Sequence, residues 1–213
     1  MISQLIAPIL FFLSVQVNTP DLFSMPPQVL ASKSISLENR YPNSYVSNIF
    51  KDNILLNIAY LNGRVTKASH INWEDIEKPF QSKFTLSPGK TFAFHDDVLP
   101  EFENKVVLTT KAHFNYDDGF KSDGYLTGDG VCHLASLMYW AAKAAGLDAY
   151  APTNHDFMPI PEIPKEFGVA IYDVPGQGYS NQRQNLYIIN NQKKEITFEF
   201  DYNGKDLKFT VEE

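Results

Sequence analysis

Gly128-Asp129-Gly130-Val131-Cys132-His133-Leu134-Ala135 is the stretch that decides the fold, because a glycine-flanked loop there runs directly into an apolar helix. The helix is predicted to extend from Val131 to Ala145, with Gly146 as its C-cap. Its side chains are nearly all apolar or small, which is typical of a central core helix. The helix also carries Cys132, and because this is the only cysteine of the chain no internal disulfide can form.

The C-terminal part of the chain alternates with the two-residue period of half-buried strands. Residues 196–200 and 207–211 flank Asn203-Gly204, which is the strongest short signal for a β-hairpin. Three other apolar segments predict further strands: 84–94, 169–172 and 186–189. The segment 84–94 contains a Ser-Pro-Gly-Lys turn, which predicts another hairpin. The pattern predicts an α+β fold, with a central buried helix packed on a mostly antiparallel sheet and a C-terminal β-hairpin.

The N-terminal region divides into two predicted segments ahead of the domain. The apolar run Leu5–Val15 has the length of a signal-peptide core, but no Lys or Arg precedes Lys33. Residues 1–18 are therefore predicted to be either a signal peptide or an apolar N-terminal segment. Residues 19–47 are punctuated by prolines and predict a linker or extended arm, followed by one domain over residues 48–213.

The charge balance limits the classes of partner. The chain has 213 residues, with 18 basic and 25 acidic side chains and a net charge of -7. Because binding to nucleic acid requires clustered Lys and Arg, no nucleic-acid partner is predicted. If residues 1–18 are a signal peptide, we expect an extracytoplasmic protein, secreted or associated with the envelope, that meets the membrane only through this segment.

Cys132 is a candidate nucleophile because it lies in the first turn of the predicted helix. The positive end of the helix dipole favours thiolate, which is the reactive form of cysteine. His155 follows after one helix and a short extended segment, and it is the candidate general base. Asn185 is the candidate for orienting the imidazole of His155, since amides have that role in Cys-His-Asn sites.

The residues around these three candidates are predicted to border the site: Gly128, Asp129, Gly130, His133, Asn154 and Asp156. The glycines would let a substrate approach the backbone, and N–H groups at the helix start could bind an oxyanion. Alternatively, Gly128 and Gly130 only form the tight turn that a buried helix needs.

Two further kinds of site were considered. Asp129, His133 and His155 match no known spacing of metal ligands, so neither a metal nor a cofactor is predicted. Four aromatic residues could line a cleft for a saccharide or peptide, or could simply pack within loops: Tyr116, Phe120, Tyr125 and Phe157.

Four blocks of the sequence resemble the VanW family, which is named after an accessory protein of vancomycin-resistance clusters. The block from Gly128 to Cys132 is the most specific, and it resembles the family's Gly-Gly-Gly-Ile-Cys-Gln helix start. The other blocks are the early helix 53–63, the segment Ser87–Phe94, and His155 together with the strand 185–191. The four blocks together span about residues 50–212.

The chain departs from the family pattern at three single positions and at the helix start, where Leu134-Ala135-Ser136 replaces a Ser/Thr-rich segment of the family. Asp129 replaces a glycine, His133 replaces glutamine, and Asn185 replaces aspartate. The resemblance implies a bacterial cell-envelope protein that acts on or binds peptidoglycan-type peptide or glycan. A second likeness, of pattern only, is to the transglutaminase-like and papain-like thiol enzymes.

Two functional hypotheses follow from the sequence. In the first, the protein is a Cys-His acyltransferase or amidase-like hydrolase of the envelope. In the second, it is a non-catalytic wall-binding or scaffolding module in which Cys132 and His155 are structural. The sequence leaves both open, because it cannot show whether the thiol and the imidazole meet.

Overall fold

The computed structural model describes residues 27–213. Its α-helices are α1 (Ser44–Leu61), α2 (Trp73–Ile76), α3 (Val131–Ala144) and α4 (Gly178–Arg183). Its strands are β1 (Val29–Ser36), β2 (Phe80–Leu86), β3 (Thr91–Ala93), β4 (Val106–Leu108), β5 (Asp148–Tyr150), β6 (Tyr187–Ile189), β7 (Ile196–Tyr202) and β8 (Asp206–Glu212). Two single turns of 3₁₀-helix, Ala68–His70 and Lys165–Phe167, complete these elements. The predicted α+β class is confirmed.

The strands form two four-stranded sheets, and the one with the longer strands is called the larger sheet. It is antiparallel throughout, with the strand order β1-β8-β7-β2. Its two central strands, β7 and β8, form the predicted C-terminal hairpin. The pair nearest the turn is Tyr202 opposite Leu207. The side-chain oxygen of Asn203 accepts hydrogen bonds from the backbone N–H groups of Lys205 and Asp206, at 2.9 and 2.8 Å. These bonds close the turn, because asparagine can replace a backbone acceptor there.

The second sheet has the order β4-β3-β6-β5 and corrects one prediction. β2 and β3 were expected to form a hairpin, yet β2 pairs with β7 whereas β3 pairs with β6 and, in parallel, with β4. The turn between them donates a hydrogen bond from Gly89 N–H to the carbonyl of Asn190, at 2.8 Å. This long-range bond directs the chain into the second sheet instead of back along β2.

Helix α3 is the central helix that the sequence predicts, and it contacts elements of both sheets. It packs against β1 and β8 of the larger sheet, against β5 of the second sheet, and against α1. Leu137, Met138 and Ala141 are completely buried. The helix therefore joins two sheets, where the sequence suggested a single one.

Part of the predicted arm 19–47 belongs to the folded domain. Within it, β1 is an edge strand paired with β8, and Ile35 and Leu37 are each only 1% exposed. Residues 1–18, with the predicted signal peptide, and the start of the arm lie outside the described residues. Among residues 27–213 the helices are too short or too polar to cross a bilayer.

Candidate functional site

The loop before α3 is fixed by close contacts with the protein's own chain. Gly128 and Gly130 have φ values of 85° and 98°, which favour glycine. A Cβ atom at Gly130 would lie 2.6 Å from the carbonyl oxygen of Phe50, and one at Gly128 would lie 2.8 Å from Cβ of Phe114. Both glycines therefore make room for neighbouring protein atoms, which is the structural role that the sequence left open.

Asn53 of α1 anchors this loop, and sequence reasoning missed it. Its side-chain amide donates to the carbonyls of Lys121 and Asp129, both at 2.9 Å, and its oxygen accepts from the N–H of Lys121 at 2.8 Å. Asn53 is completely buried. The available signal was a polar residue within the apolar stripe of α1, since a buried amide must find partners.

The thiol of Cys132 is bonded to the backbone of Ile171. The N–H of Ile171 donates to Sγ at 3.4 Å, and the thiol lies 3.6 Å from the carbonyl of Ile171, to which it donates. Burial, together with the nearby Asp129 carboxylate, raises the pKa of the thiol to about 11. The raised pKa counts against the thiolate that the helix start predicts, because loss of solvent opposes the effect of the helix dipole.

Two N–H groups at the helix start are already engaged, which weakens the predicted oxyanion site. The N–H of Val131 donates to the carbonyl of Gly128 at 3.2 Å, and that of His133 donates to the carbonyl of Gly130 at 2.9 Å. These bonds satisfy donors that an oxyanion would need.

The segment Val169–Ile171 lies along α3 instead of forming the predicted strand. The hydroxyl of Ser136 donates to the carbonyl of Cys132 at 2.6 Å and accepts from the N–H of Val169 at 2.9 Å. Cys132 and Ser136 are four residues apart on one face of the helix. Their side chains take the hydrogen-bonding place of a neighbouring strand, so residues 169–172 are extended without joining either sheet.

His155 lies against His133 and Phe157. Its ring centroid is 6.2 Å from that of His133 and 4.0 Å from that of Phe157. Burial lowers the pKa of both histidines, and for His133 the positive charge of Arg40 lowers it further, so both rings are neutral at pH 7. Among the hydrogen bonds of residues 27–213, none joins His155 to Cys132.

Asn185 faces a different histidine from the predicted one. Its side-chain oxygen accepts from the N–H of Phe94 at 2.9 Å, and its amide donates to the carbonyl of Asp97 at 2.9 Å and lies 3.4 Å from Nδ1 of His95. The prediction that Asn185 orients His155 is therefore wrong. Pairing of β6 with β3 carries Asn185 to the end of β3, where His95 is located.

Cys132, His133 and His155 line one cavity of about 430 Å³ at the start of α3. The segments 123–133 and 171–175 form most of its wall, and Tyr41 and Phe50 add aromatic surface that sequence reasoning did not anticipate. The structure therefore brings the predicted thiol and imidazole to the same cavity without a hydrogen bond between them.

The exposed aromatic residues of the cavity include two that the sequence suggested. Tyr125 and Phe157 line it and are 92% and 75% exposed. Phe120, in contrast, is buried in the core, and Tyr116 borders a separate groove. A cavity edged by exposed aromatic side chains is a typical surface for contact with sugar faces or peptide groups.

Asn154 and Asp156, which were expected beside the site, are exposed and do not line this cavity. Asp156 instead borders a smaller neighbouring cavity of about 150 Å³, which shares His155 and Met158 with the larger one. Neither side chain therefore borders the cavity that Cys132 lines.

The carboxylates of the cavity are Asp123, Asp129 and Asp173. Burial raises the pKa of Asp129 and of Asp173 to about 6 in each case. In the part of the chain that the structure describes, no three His, Cys, Asp or Glu side chains are arranged to hold a metal ion. The cavity is therefore acidic and aromatic in character.

The comparisons with known proteins identify a family. The family model described as VanW like protein matches residues 81–212, which include all of β2 except its first residue, β3 to β8, α3 and the whole wall of the cavity from Phe114 onward. No curated protein and no solved structure matches the chain. Because the match covers more than half of the residues, this chain belongs to the VanW-like protein family.

Proposed function

We propose that this protein binds peptide or glycan material of the bacterial cell wall in the cavity at the start of α3, without covalent catalysis. Membership of a family named after a vancomycin-resistance accessory protein supports a role in the envelope. The observation that carries the proposal is the cavity of about 430 Å³ with exposed Tyr125 and Phe157 at its edge. Cavities of this size hold several residues or sugar units of a ligand.

The proposal requires an extracytoplasmic location. Its support is the apolar run Leu5–Val15 in the sequence, which lies outside the described residues. Protease treatment of intact cells followed by immunoblotting tests the location, because an exported protein is cleaved whereas a cytoplasmic control is protected.

Wall binding is tested by sedimentation with purified cell-wall sacculi. We expect Tyr125→Ala and Phe157→Ala each to weaken binding at least about fivefold, because stacking surface at the edge of the cavity is lost. Tyr179→Ala is the matched control, since Tyr179 is 79% exposed but lies outside the cavity. Equal sedimentation of all four proteins would contradict a binding role for the cavity, and no sedimentation of the wild type would reject wall binding.

A thiol acyl-transfer activity is the second candidate, because Cys132 and His155 line the same cavity. In that mechanism the imidazole of His155 would take the thiol proton while Sγ attacks a peptide-like carbonyl, and it would return the proton to the amine that leaves when the C–N bond breaks to give a thioester. Water or an acceptor amine would then cleave the thioester and release the thiol. The bond from Ile171 to Sγ and the raised pKa of the thiol both count against it.

The rate of Cys132 alkylation against pH separates the two candidates. With a pKa near 11, the folded chain has little thiolate at pH 8, and we expect alkylation at least about 100-fold slower than in urea. We also expect Cys132→Ala to bind sacculi as the wild type does. A folded-state alkylation midpoint near pH 7, together with an inactive but folded Cys132→Ala variant, would favour the acyl-transfer mechanism instead.

A further inference from the structure

Resting on the proposed wall-binding function, we infer that the cavity at the start of α3 selects ligands that carry a protonated amino group, such as the free amines of wall peptides. The inference concerns the chemical class of the ligand. It follows from the charges, the aromatic surface and the unsatisfied polar atoms of the cavity.

The charges that line the cavity are negative. Asp123, Asp129 and Asp173 contribute carboxylates, and the described residues of the lining include no Lys or Arg. None of the ion pairs among the described residues includes these three carboxylates, and they accept hydrogen bonds from the backbone N–H groups of Asp123 and Tyr125 and from the side-chain amide of Asn181. The cavity thus carries negative charge that a ligand cation can neutralise.

Partial burial strengthens such an interaction. Asp129 and Asp173 are both partly withdrawn from solvent, which is why their pKa values rise to about 6. A cation that enters this environment meets a lower effective dielectric constant than at the open surface, so each charge pair contributes more to binding. At pH 7 both carboxylates are largely ionised.

Aromatic rings accompany the carboxylates. Tyr41, Tyr125, Phe157 and Tyr172 all line the cavity. The face of an aromatic ring attracts an ammonium group through its quadrupole, and recognition sites for ammonium ligands combine rings with carboxylates. The same rings would contact the aliphatic carbons that carry an amine.

Two buried histidines supply a second, independent indication of a ligand. His133 and His155 line the cavity and are 5% and 6% exposed, yet Nδ1 of each has no hydrogen-bond partner among the described residues. Buried polar nitrogens are normally satisfied, so two unpaired nitrogens are unusual in a region that serves only for packing. Burial lowers the pKa of both rings, so neither is expected to add positive charge that would repel a cation at pH 7.

The test compares untreated sacculi with sacculi whose amino groups have been acetylated. We expect the wild type to bind the untreated material about tenfold more tightly, because acetylation removes the positive charge. Asp129→Asn and Asp173→Asn should each reduce this preference while weaker binding remains. Equal binding of the wild type to both materials would overturn the inference yet leave the proposed wall binding intact, whereas no binding to either would reject both.

A matched control separates the cavity from general attraction by the net charge of -7. Asp148→Asn removes the same charge from an exposed position on β5 and should keep the full preference. Loss of the preference in this variant would contradict a role for the cavity. Thermal melts of the three variants confirm that each remains folded.

Competition with soluble amines identifies the source of the amino group. The probes are the tripeptide Nα-acetyl-L-alanyl-γ-D-glutamyl-L-lysine, in which the lysine side chain carries the free amine, its Nε-acetylated form, and a glucosamine trimer. Displacement of the protein from sacculi by the first probe but not by the second supports recognition of a peptide amine. Displacement by the glucosamine trimer instead supports an amino-sugar ligand, and displacement by the acetylated peptide as strongly as by the free one contradicts amine selection.

Discussion

The side chain of Cys132 is hydrogen-bonded to the backbone of Ile171. The sulfur lies between α3 and an extended segment that joins neither sheet. Sulfur is a weak donor and acceptor, but it can satisfy an N–H that a buried segment would otherwise leave unpaired. A lone cysteine at a helix start can therefore be structural even where its position suggests a nucleophile.

The buried imidazole of His133 should make stability depend on pH. Its folded-state pKa lies well below the ordinary value of 6.5 because burial and the charge of Arg40 disfavour protonation. Below pH 6.5 the unfolded chain therefore binds a proton that the folded chain does not, and the free energy of unfolding falls as the pH falls. One such group changes it by up to about 1.4 kcal/mol per pH unit.

We expect His133→Gln to reduce the fall in the free energy of unfolding between pH 7 and pH 5, measured by urea denaturation. Other buried groups also make the free energy of unfolding depend on pH: burial lowers the pKa of His95 and His155 and raises that of Asp129 and Asp173. Because both proteins contain these groups, their effects cancel when the variant is compared with the wild type. His70→Gln, at an exposed position, is the control and should keep the wild-type slope. If the free energy of unfolding falls equally with pH in the wild type and in His133→Gln, burial does not prevent protonation of His133 in the folded chain.

At the scale of elements, the start of α3 is determined by contact with α1. The backbone of Phe50 approaches Gly130 so closely that only glycine fits, and Asn53 of the same helix holds the loop at Lys121 and Asp129. Two positions of α1 therefore set the position of the loop that lines the cavity. A change at Asn53 should alter the cavity without touching its lining, because Asn53 does not line the cavity.

Gly130→Ala should be strongly destabilising. An added Cβ would lie 2.6 Å from the Phe50 oxygen at a φ of +98°, so steric overlap adds to the backbone strain, and we expect a loss of at least about 3 kcal/mol in urea unfolding. Gly146→Ala at the other end of α3 is the matched control. Gly146 has a φ of +75° with no atom near its Cβ position, so a loss of about 1 kcal/mol is expected. Equal losses would contradict the contact with Phe50.

At the scale of the whole molecule, two four-stranded sheets share one core through α3. The larger sheet begins with β1, which precedes α1 in the sequence and pairs with β8 near the C-terminus. This pairing joins the two ends of the described chain. The domain therefore begins before residue 48, and it also extends beyond the N-terminal limit of the family match at residue 81.

Ile35→Ala tests whether β1 belongs to the core. Ile35 is 1% exposed and lies opposite Leu207 of β8, so we expect a loss of about 2–5 kcal/mol in the free energy of unfolding. Val29→Ala in the same strand, where Val29 is 56% exposed, should change stability by less than about 0.5 kcal/mol. A small effect of Ile35→Ala would indicate that β1 is only loosely attached.

The amino-acid sequence by itself determined the α+β class, the central helix α3, the β7–β8 hairpin and the VanW-like family. These features depend on local periodicity, on the Asn203-Gly204 turn and on a compact motif around Cys132. Each of these signals is contained in a short stretch of sequence. These local signals predicted the structure correctly because turn and helix preferences act over that range, whereas the Ser-Pro-Gly-Lys turn did not determine which strands its two sides pair with.

Only the tertiary structure decided which distant groups meet. It assigned β2 and β3 to different sheets, paired Asn185 with His95, and engaged Cys132 with Ile171. Each outcome depends on contacts between residues far apart in the sequence, and periodicity carries no information on which partner a strand or side chain will find. The protonation state of Cys132 was decided in the same way, since the surrounding burial outweighs the local effect of the helix end.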